Sequence, residues 1–306
     1  MLPGLMDMHA HLFSDDEFPD RLAGDEFAIM LANGVTTIRL MIGTPEQLTY
    51  RAKIANGEMF GPTLFIASPE FTERKGNGIF NGRVVTTPDE ARAAVRECKG
   101  LGYDFIKLTT AISRPVYDAV IETAKEQDIR VVGHVDLQVG FTLYALTKVE
   151  RNRHIEHLDS YMEALLRDDA PSKVGVSDMG VWRKPNWENL DYVDESKIAV
   201  LAQATAKTGT YTCPTLSFFK WNFVVPQSDD EIRARPDFRF YPKNSARALV
   251  RGTYALLDKS SDGGAPREIS AHPQSTGQKH SRRGRQDYGG FGCARIVSGL
   301  RFCAAS

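Results

Sequence analysis

The sequence has no long hydrophobic run: none of its apolar stretches approaches the roughly 20 residues that span a bilayer. It opens without a basic segment followed by an apolar one, so no secretory leader is expected and a cytoplasmic location is. Charge of one sign is also lacking. Its 38 Lys and Arg stand against 39 Asp and Glu, a net charge of −1, which leaves no field for nucleic acid or an anionic membrane to read. Cysteine is scarce and scattered: four residues, at positions 98, 213, 293 and 303, without a CxxC pair. That spacing excludes a zinc knuckle and a disulfide framework. The expected partner is a small-molecule substrate, with no nucleic acid and no membrane, and self-association into a homo-oligomer is left open.

What is present is a chain of 306 residues, enough for one large α/β domain or two ordinary ones. Short apolar, β-rich runs alternate with longer amphipathic stretches, the pattern of βα units around a parallel sheet. Strands are expected at "GLMDMHAHL", "VTTIRLMI", "TLFIAS", "DFIKLT", "IRVVGHV", "RHIEHLD" and "TYTCPTL". Helices are expected between them: "EFAIMLANG", closed by Gly34; "EQLTYRAKIANG", opened by Thr44 and Pro45; a stretch from Ser113 to Gln127; "FTLYALTKV"; and "ESKIAVLAQATAKTG", capped by Asp194. "TTPDEARAAVRECKGLG" carries the clearest signals. Thr87 is its N-cap, Pro88 opens the first turn, Glu90 completes a capping box, and Gly100 and Gly102 stand at the end. Seven such alternations predict an α/β fold of the (β/α)8 TIM-type barrel class rather than an open sheet. "SARALVRGTYALL" supplies the helix after the seventh strand, but no apolar run follows it as an eighth, so the barrel is expected to be incomplete.

Composition changes near residue 258. Residues 259–306 hold eight Lys or Arg against three Asp or Glu, a net of +5 against −6 for residues 1–258. Stretches such as "GQKHSRRGRQDYGGFG" have neither helical nor strand period. The expected division is a barrel over 1–258 and an aperiodic basic tail over 259–306, either disordered or the product of a reading frame that departs near Leu257. Three long connections, residues 68–86, 159–193 and 217–242, leave the carboxyl ends of strands, the face on which such barrels build active sites. They hold Trp182, Trp187, Trp221 and the run "LSFFKWNF", which suits a partly apolar substrate pocket or loops packed on one another.

The polar residues of the strands carry the chemistry. His9 and His11, two apart, share a strand face. They are either a metal pair at the barrel mouth or the polar tip of an edge strand. Lys107 in "DFIKLTT", His134 in "VVGHVD" and His157 in "HIEHLD" fall near the carboxyl ends of three further strands. A lone histidine is ordinarily a satisfied core residue. Four histidines and a lysine at one end of a barrel point instead to a metal centre, imidazole being a borderline ligand suited to zinc. A lysine aimed inward from an apolar strand is costly to keep charged, so its pKa falls. The neutral amine can add carbon dioxide to form a carbamate, an anionic group able to bridge two metals. The bland alternative is a lysine that snorkels to solvent. His154, three residues before His157, falls on the opposite face and reads as structural. Asp7, on the face of His9 and His11 but deeper, reads as a support behind them.

"PGLMDMHAHL" resembles the PGxxDxHxH opening of the amidohydrolase superfamily, and "IKL", "GHV" and "EHL" resemble its next three ligand motifs in order and spacing. The similarity covers about residues 2–257 and leans to the imidazolonepropionase-like and Xaa-Pro-dipeptidase-like enzymes. It implies that His9 and His11 bind one divalent metal ion and His134 and His157 a second, zinc by preference, with a carbon dioxide-derived carbamate on Lys107 bridging them. It further implies a metal-dependent amidohydrolase acting on a small amide (cyclic amide, N-acyl amino acid or dipeptide) through a metal-bridging hydroxide. Such an enzyme would rank among hydrolases of carbon–nitrogen bonds other than peptide bonds.

Two features depart from that family. Its β-sandwich is not recognisable, since only Leu2 separates Met1 from the "PG". Its strand-eight aspartate, the proton-transfer residue, has no clear counterpart: Asp262 in "SSDGGAP" resembles that turn but follows no apolar strand. No catalytic residue is therefore assigned. The alternative reading is an amidohydrolase-like fragment impaired by that loss, and a third is a metal-dependent isomerase or decarboxylase on the same barrel.

Overall fold

A computed structural model describes residues 2–12, 22–73, 82–109, 112–134, 154–158, 161–170, 192–219, 229–236 and 238–240. Within them lie β1 (Leu5–Ala10), β2 (Val35–Leu40), β3 (Thr63–Ile66), β4 (Phe71–Thr72), β5 (Arg83–Val84), β6 (Phe105–Leu108), β7 (Arg130–Gly133), β8 (His154–Glu156) and β9 (Tyr211–Cys213). All their pairings are parallel, in the orders β1-β2-β3 and β5-β4-β6-β7-β8-β9. A parallel bridge between Ala67 and Phe105 joins the two sheets. Backbone hydrogen bonds from Ser68 N–H to Phe105 O and from Asp104 N–H to Ile66 O, both 2.8 Å, reinforce it. The seven expected strands are thus neighbours in chain order. β4 and β5 were not expected; they extend the carboxyl end of β6, where Phe71 pairs with Leu108.

The helices α1 (Ala23–Ala32), α2 (Pro45–Ala55), α3 (Pro88–Leu101), α4 (Arg114–Glu126), α5 (Tyr161–Leu165) and α6 (Ser196–Thr208) accompany the strands. α3 forms for the reasons its sequence gives. The Thr87 hydroxyl accepts the Glu90 N–H, the Glu90 carboxylate accepts the Thr87 N–H, and Gly102 closes the helix at φ 90°. Its residues Ala91, Ala94, Val95 and Cys98, at helical spacing, are buried. No helix among the described residues is long and apolar enough to cross a membrane. The expected helices "FTLYALTKV" and "SARALVRGTYALL", the three tryptophans, Asp262, the boundary at 258 and the tail lie outside the described residues.

The sheet curls rather than lying open. In a flat sheet of this order β2 and β8 would stand four strands apart, about 19 Å at ~4.8 Å per strand. Yet Arg39 of β2 and Glu156 of β8 meet at 2.7 Å. Alternation then sorts the side chains. Ile38, Leu40, Leu64, Ile66, Ile106, Leu108 and Ile155 face outward into the large core shared with the helices. Arg39, Phe105, Lys107, His154 and Glu156 face the interior, with a small apolar cluster of Met41, Ala67, Val132 and Phe105. This is an α/β fold of parallel strands, an incomplete TIM-type barrel whose strand ends share one rim.

Gly133 closes β7 immediately before His134. Its φ is +128°, and a Cβ there would lie 2.2 Å from the Leu108 carbonyl oxygen. Gly133→Ala is expected to cost about 3 kcal/mol through backbone strain and overpacking, read as a lowered urea midpoint. An unchanged midpoint would contradict this close approach of β7 to β6.

Candidate metal centre

Four strands deliver the five expected residues to that rim. His9 is the penultimate residue of β1 and His11 follows its end; Lys107 is penultimate in β6; His134 and His157 follow the last residues of β7 and β8. Parallel register keeps these ends level, Leu108 pairing with Gly133 and Gly133 with Ile155. His9 Nε2 lies 3.1 Å from His11 Nε2. The His9 ring centroid is 4.5 Å from that of His157, on which His134 stacks at 5.1 Å. Lys107 is 1% exposed, and its charge acts on His9, His11 and His157. The lysine does not snorkel to solvent.

The backbone departs from strand geometry at the last of these ligands. His157 and Leu158 have φ values of +60° and +57°. Such left-handed conformations cost of order 1–3 kcal/mol each and persist only where surroundings impose them. Here the His157 N–H donates to the Cys213 carbonyl at 2.9 Å, and its Nδ1 lies 2.8 Å from Thr215 Oγ1. The turn brings His157 to the side that Glu156 faces. This corrects the expectation for His154. Three residues apart on a straight strand means opposite faces, but β8 ends at Glu156, and His154 points inward like Glu156. It is buried among Phe105 and Tyr211, with Nδ1 2.8 Å from Arg39 Nη1. Asp7 supports β1 in another way than expected, its carboxylate accepting the His9 backbone N–H at 3.0 Å.

Two residues that the sequence reading passed over complete the interior. Arg39 and Glu156 are both 0% exposed and form an ion pair. Glu156 uses its other oxygen to accept from His9 Nδ1 at 2.7 Å. A signal for Arg39 was present in "TTIRLM": a cation in an apolar strand, the same feature that marked Lys107. His9, Glu156 and Cys213 bring potential ligand atoms within 4.8 Å of one another. Both Glu156 oxygens are already engaged, however, so the carboxylate backs the His9 imidazole, and the histidine cluster is the better place for an ion.

Electrostatics favour the ligating form of these rings. Burial first, then Lys107 and the neighbouring imidazoles, hold His9 well below the usual histidine range and His11 down to about 3. Burial followed by His9 and His134 does the same for His157. Neutral imidazole is the form that binds metal. With its Nδ1–H donating to the Glu156 carboxylate, His9 turns an Nε2 lone pair to the cluster. Two nitrogens on one tetrahedral ion at ~2.0–2.1 Å would be about 3.3 Å apart, close to the 3.1 Å between His9 and His11. The donor set fits a borderline divalent ion.

Burial, with Arg39 second, also lowers His154 to about 4 from 6.5. Between those values the unfolded chain holds the proton and the folded chain does not, so stability rises with pH across the window and falls on acidification. Urea unfolding of the metal-free protein from pH 7 to 4.5 is expected to lose about 2 kcal/mol from this group alone. A flat profile would contradict a neutral, buried His154.

The sequence profile of the amidohydrolase family matches residues 1–216. Among solved structures, the chain is similar to a bottromycin amidohydrolase at 22% identity and TM-score 0.50, covering 84% of this chain and 53% of that one. It is similar to a Xaa-Pro dipeptidase with methionine bound in its active site at 19% identity and TM-score 0.48, covering 84% and 63%. The chain thus spans between half and two thirds of the length of these two proteins. No curated protein matches it. With the match taking in more than two thirds of its length, the chain belongs to the amidohydrolase family.

Proposed function

We propose that the chain carries the metal-binding half of an amide hydrolase's active centre. The observation behind this reading is the convergence of four imidazoles and the buried Lys107 on one rim of a parallel barrel. His9 and His11 would hold one divalent ion, zinc by preference, and His134 and His157 a second. Lys107 would join the two as a carbamate: neutral Nζ adds to the carbon of carbon dioxide and releases one proton. Ions bound there supply Lewis-acid polarisation of a carbonyl and a water acidified to near neutral pH.

The chain's own residues contribute orientation and charge control. Glu156 accepts a hydrogen bond from His9 Nδ1–H, Thr215 meets His157 at Nδ1, and burial keeps these two rings uncharged beside incoming cations. Peptide and non-peptide small amides, whether cyclic amides, N-acyl amino acids or dipeptides, all fall within this reading. Proton delivery to the leaving nitrogen belongs to a group not assigned among the described residues.

Elemental analysis after expression with zinc is expected to give about two equivalents per chain, and the double variant His9→Ala, His11→Ala to lose at least one. Less than a tenth of an equivalent in the parent protein would refute the reading. Lys107→Ala and Lys107→Arg are both expected to lower occupancy, because guanidinium stays charged and forms no carbamate, while bicarbonate raises it in the parent. Full zinc content in the arginine variant would make Lys107 a bystander. Turnover of a small-amide panel is expected to stop on chelation and return with zinc.

A further inference from the structure

Arg39 reaches from β2 across the barrel interior. Its Nε donates to the Met8 carbonyl of β1 at 2.7 Å, Nη1 to His154 Nδ1 at 2.8 Å, and Nη2 to Glu156 Oε1 at 2.7 Å. Its guanidinium lies over the Phe105 ring, 5.6 Å from the centroid. Glu156 passes the arrangement on, Oε2 accepting from His9 Nδ1 at 2.7 Å. The four groups form one line: His154, Arg39, Glu156, His9.

The chemistry of the members fixes every proton in that line. Guanidinium only donates, so His154 Nδ1 accepts and the proton of that neutral ring sits on Nε2. Carboxylate only accepts, so His9 Nδ1 donates, and the proton of that neutral ring sits on Nδ1. One buried arginine therefore sets two histidines in opposite tautomers. The His9 tautomer it selects is the one whose Nε2 carries a lone pair toward His11.

We propose that Arg39 and Glu156 act as a tautomer lock, positioning residues that keep the His9 proton away from the atom facing the histidine cluster. The lock concerns the protein's own protons; its consequence for zinc rests on the metal centre proposed above. Glu156→Gln tests it because Arg39 dictates how the amide turns. Arg39 offers only donors, so the amide oxygen must face it and the NH2 must face His9 Nδ1. His9 then accepts at Nδ1 and carries its proton on Nε2, where a metal would bind. Removing the arginine as well, in Arg39→Met, Glu156→Gln, frees the amide to turn its oxygen to His9 and restores the original tautomer.

The experiment is long-range ¹H–¹⁵N correlation on the metal-free, full-length, ¹⁵N-histidine-labelled protein, with His9 and His154 assigned by loss of their signals in His9→Asn and His154→Asn. The parent is expected to show His9 as the Nδ1–H tautomer and His154 as Nε2–H. Glu156→Gln is expected to invert His9 only, and the double variant to return it. Zinc affinity, by chelator competition, should fall 10–100-fold in Glu156→Gln and recover at least tenfold in the double variant. A merely structural role makes the double variant worse than the single. A His9 Nε2–H signal in the metal-free parent, or a double variant no tighter than the single one, overturns the lock. Zinc stoichiometry of the parent reports on the metal centre separately, so the two failures are distinguishable.

Discussion

A parallel barrel that turns charged side chains into its own interior must satisfy each of them there, because water is not available to do so. In this chain the demand is met by Arg39 and Glu156, a pair with no exposed surface that ties β2 to β8 and takes in Met8, His154 and His9. Removing one partner of such a pair leaves a buried charge, at a cost of about 3–5 kcal/mol. The remaining features of the rim follow from it. The curl of the sheet brings the two residues into reach, the carboxylate orients His9, and His9 stands between His11 and His157.

Above that pair the centre depends on desolvation. An exposed imidazole titrates near 6.5 and is partly cationic at neutral pH. The rings of His9, His11 and His157 are held neutral by burial and by the charge of Lys107, so cation binding competes with few protons. Lys107 shares that burial: it is 1% exposed, and its charge acts on the rings of His9, His11 and His157. A carbamate there would replace a positive group by a negative one among metal-ligating rings, which is the change that bound cations favour.

The architecture was legible because its signals are periodic and local. All seven expected strands lie within a few residues of their observed limits, and the Thr87, Pro88, Glu90 and Gly102 signals mark the ends of α3 as read. Gly34 likewise follows the end of α1 at φ +81°. The five rim residues were legible for the same reason, since each stands at a strand end. What escaped the reading depends on geometry that strand parity does not carry. The left-handed turn at His157 shifted the face of His154, and β4 and β5 are two residues long, too short for any period. Arg39 lies below the rim, where no motif marks it, and Glu156 stands inside "EHL" beside the histidine that drew the reading, although a charged residue in an apolar strand is itself a signal.

Zinc K-edge absorption spectroscopy on the zinc-loaded, dialysed protein reads the ligand shell and the ion separation together. Nitrogen and oxygen scatterers are expected at ~2.0–2.1 Å with the multiple scattering of imidazole rings, plus a metal–metal distance of ~3.5–4 Å. An edge no larger than that of the dialysis buffer, or a shell dominated by sulfur at ~2.3 Å, would contradict a histidine centre at the rim of this barrel.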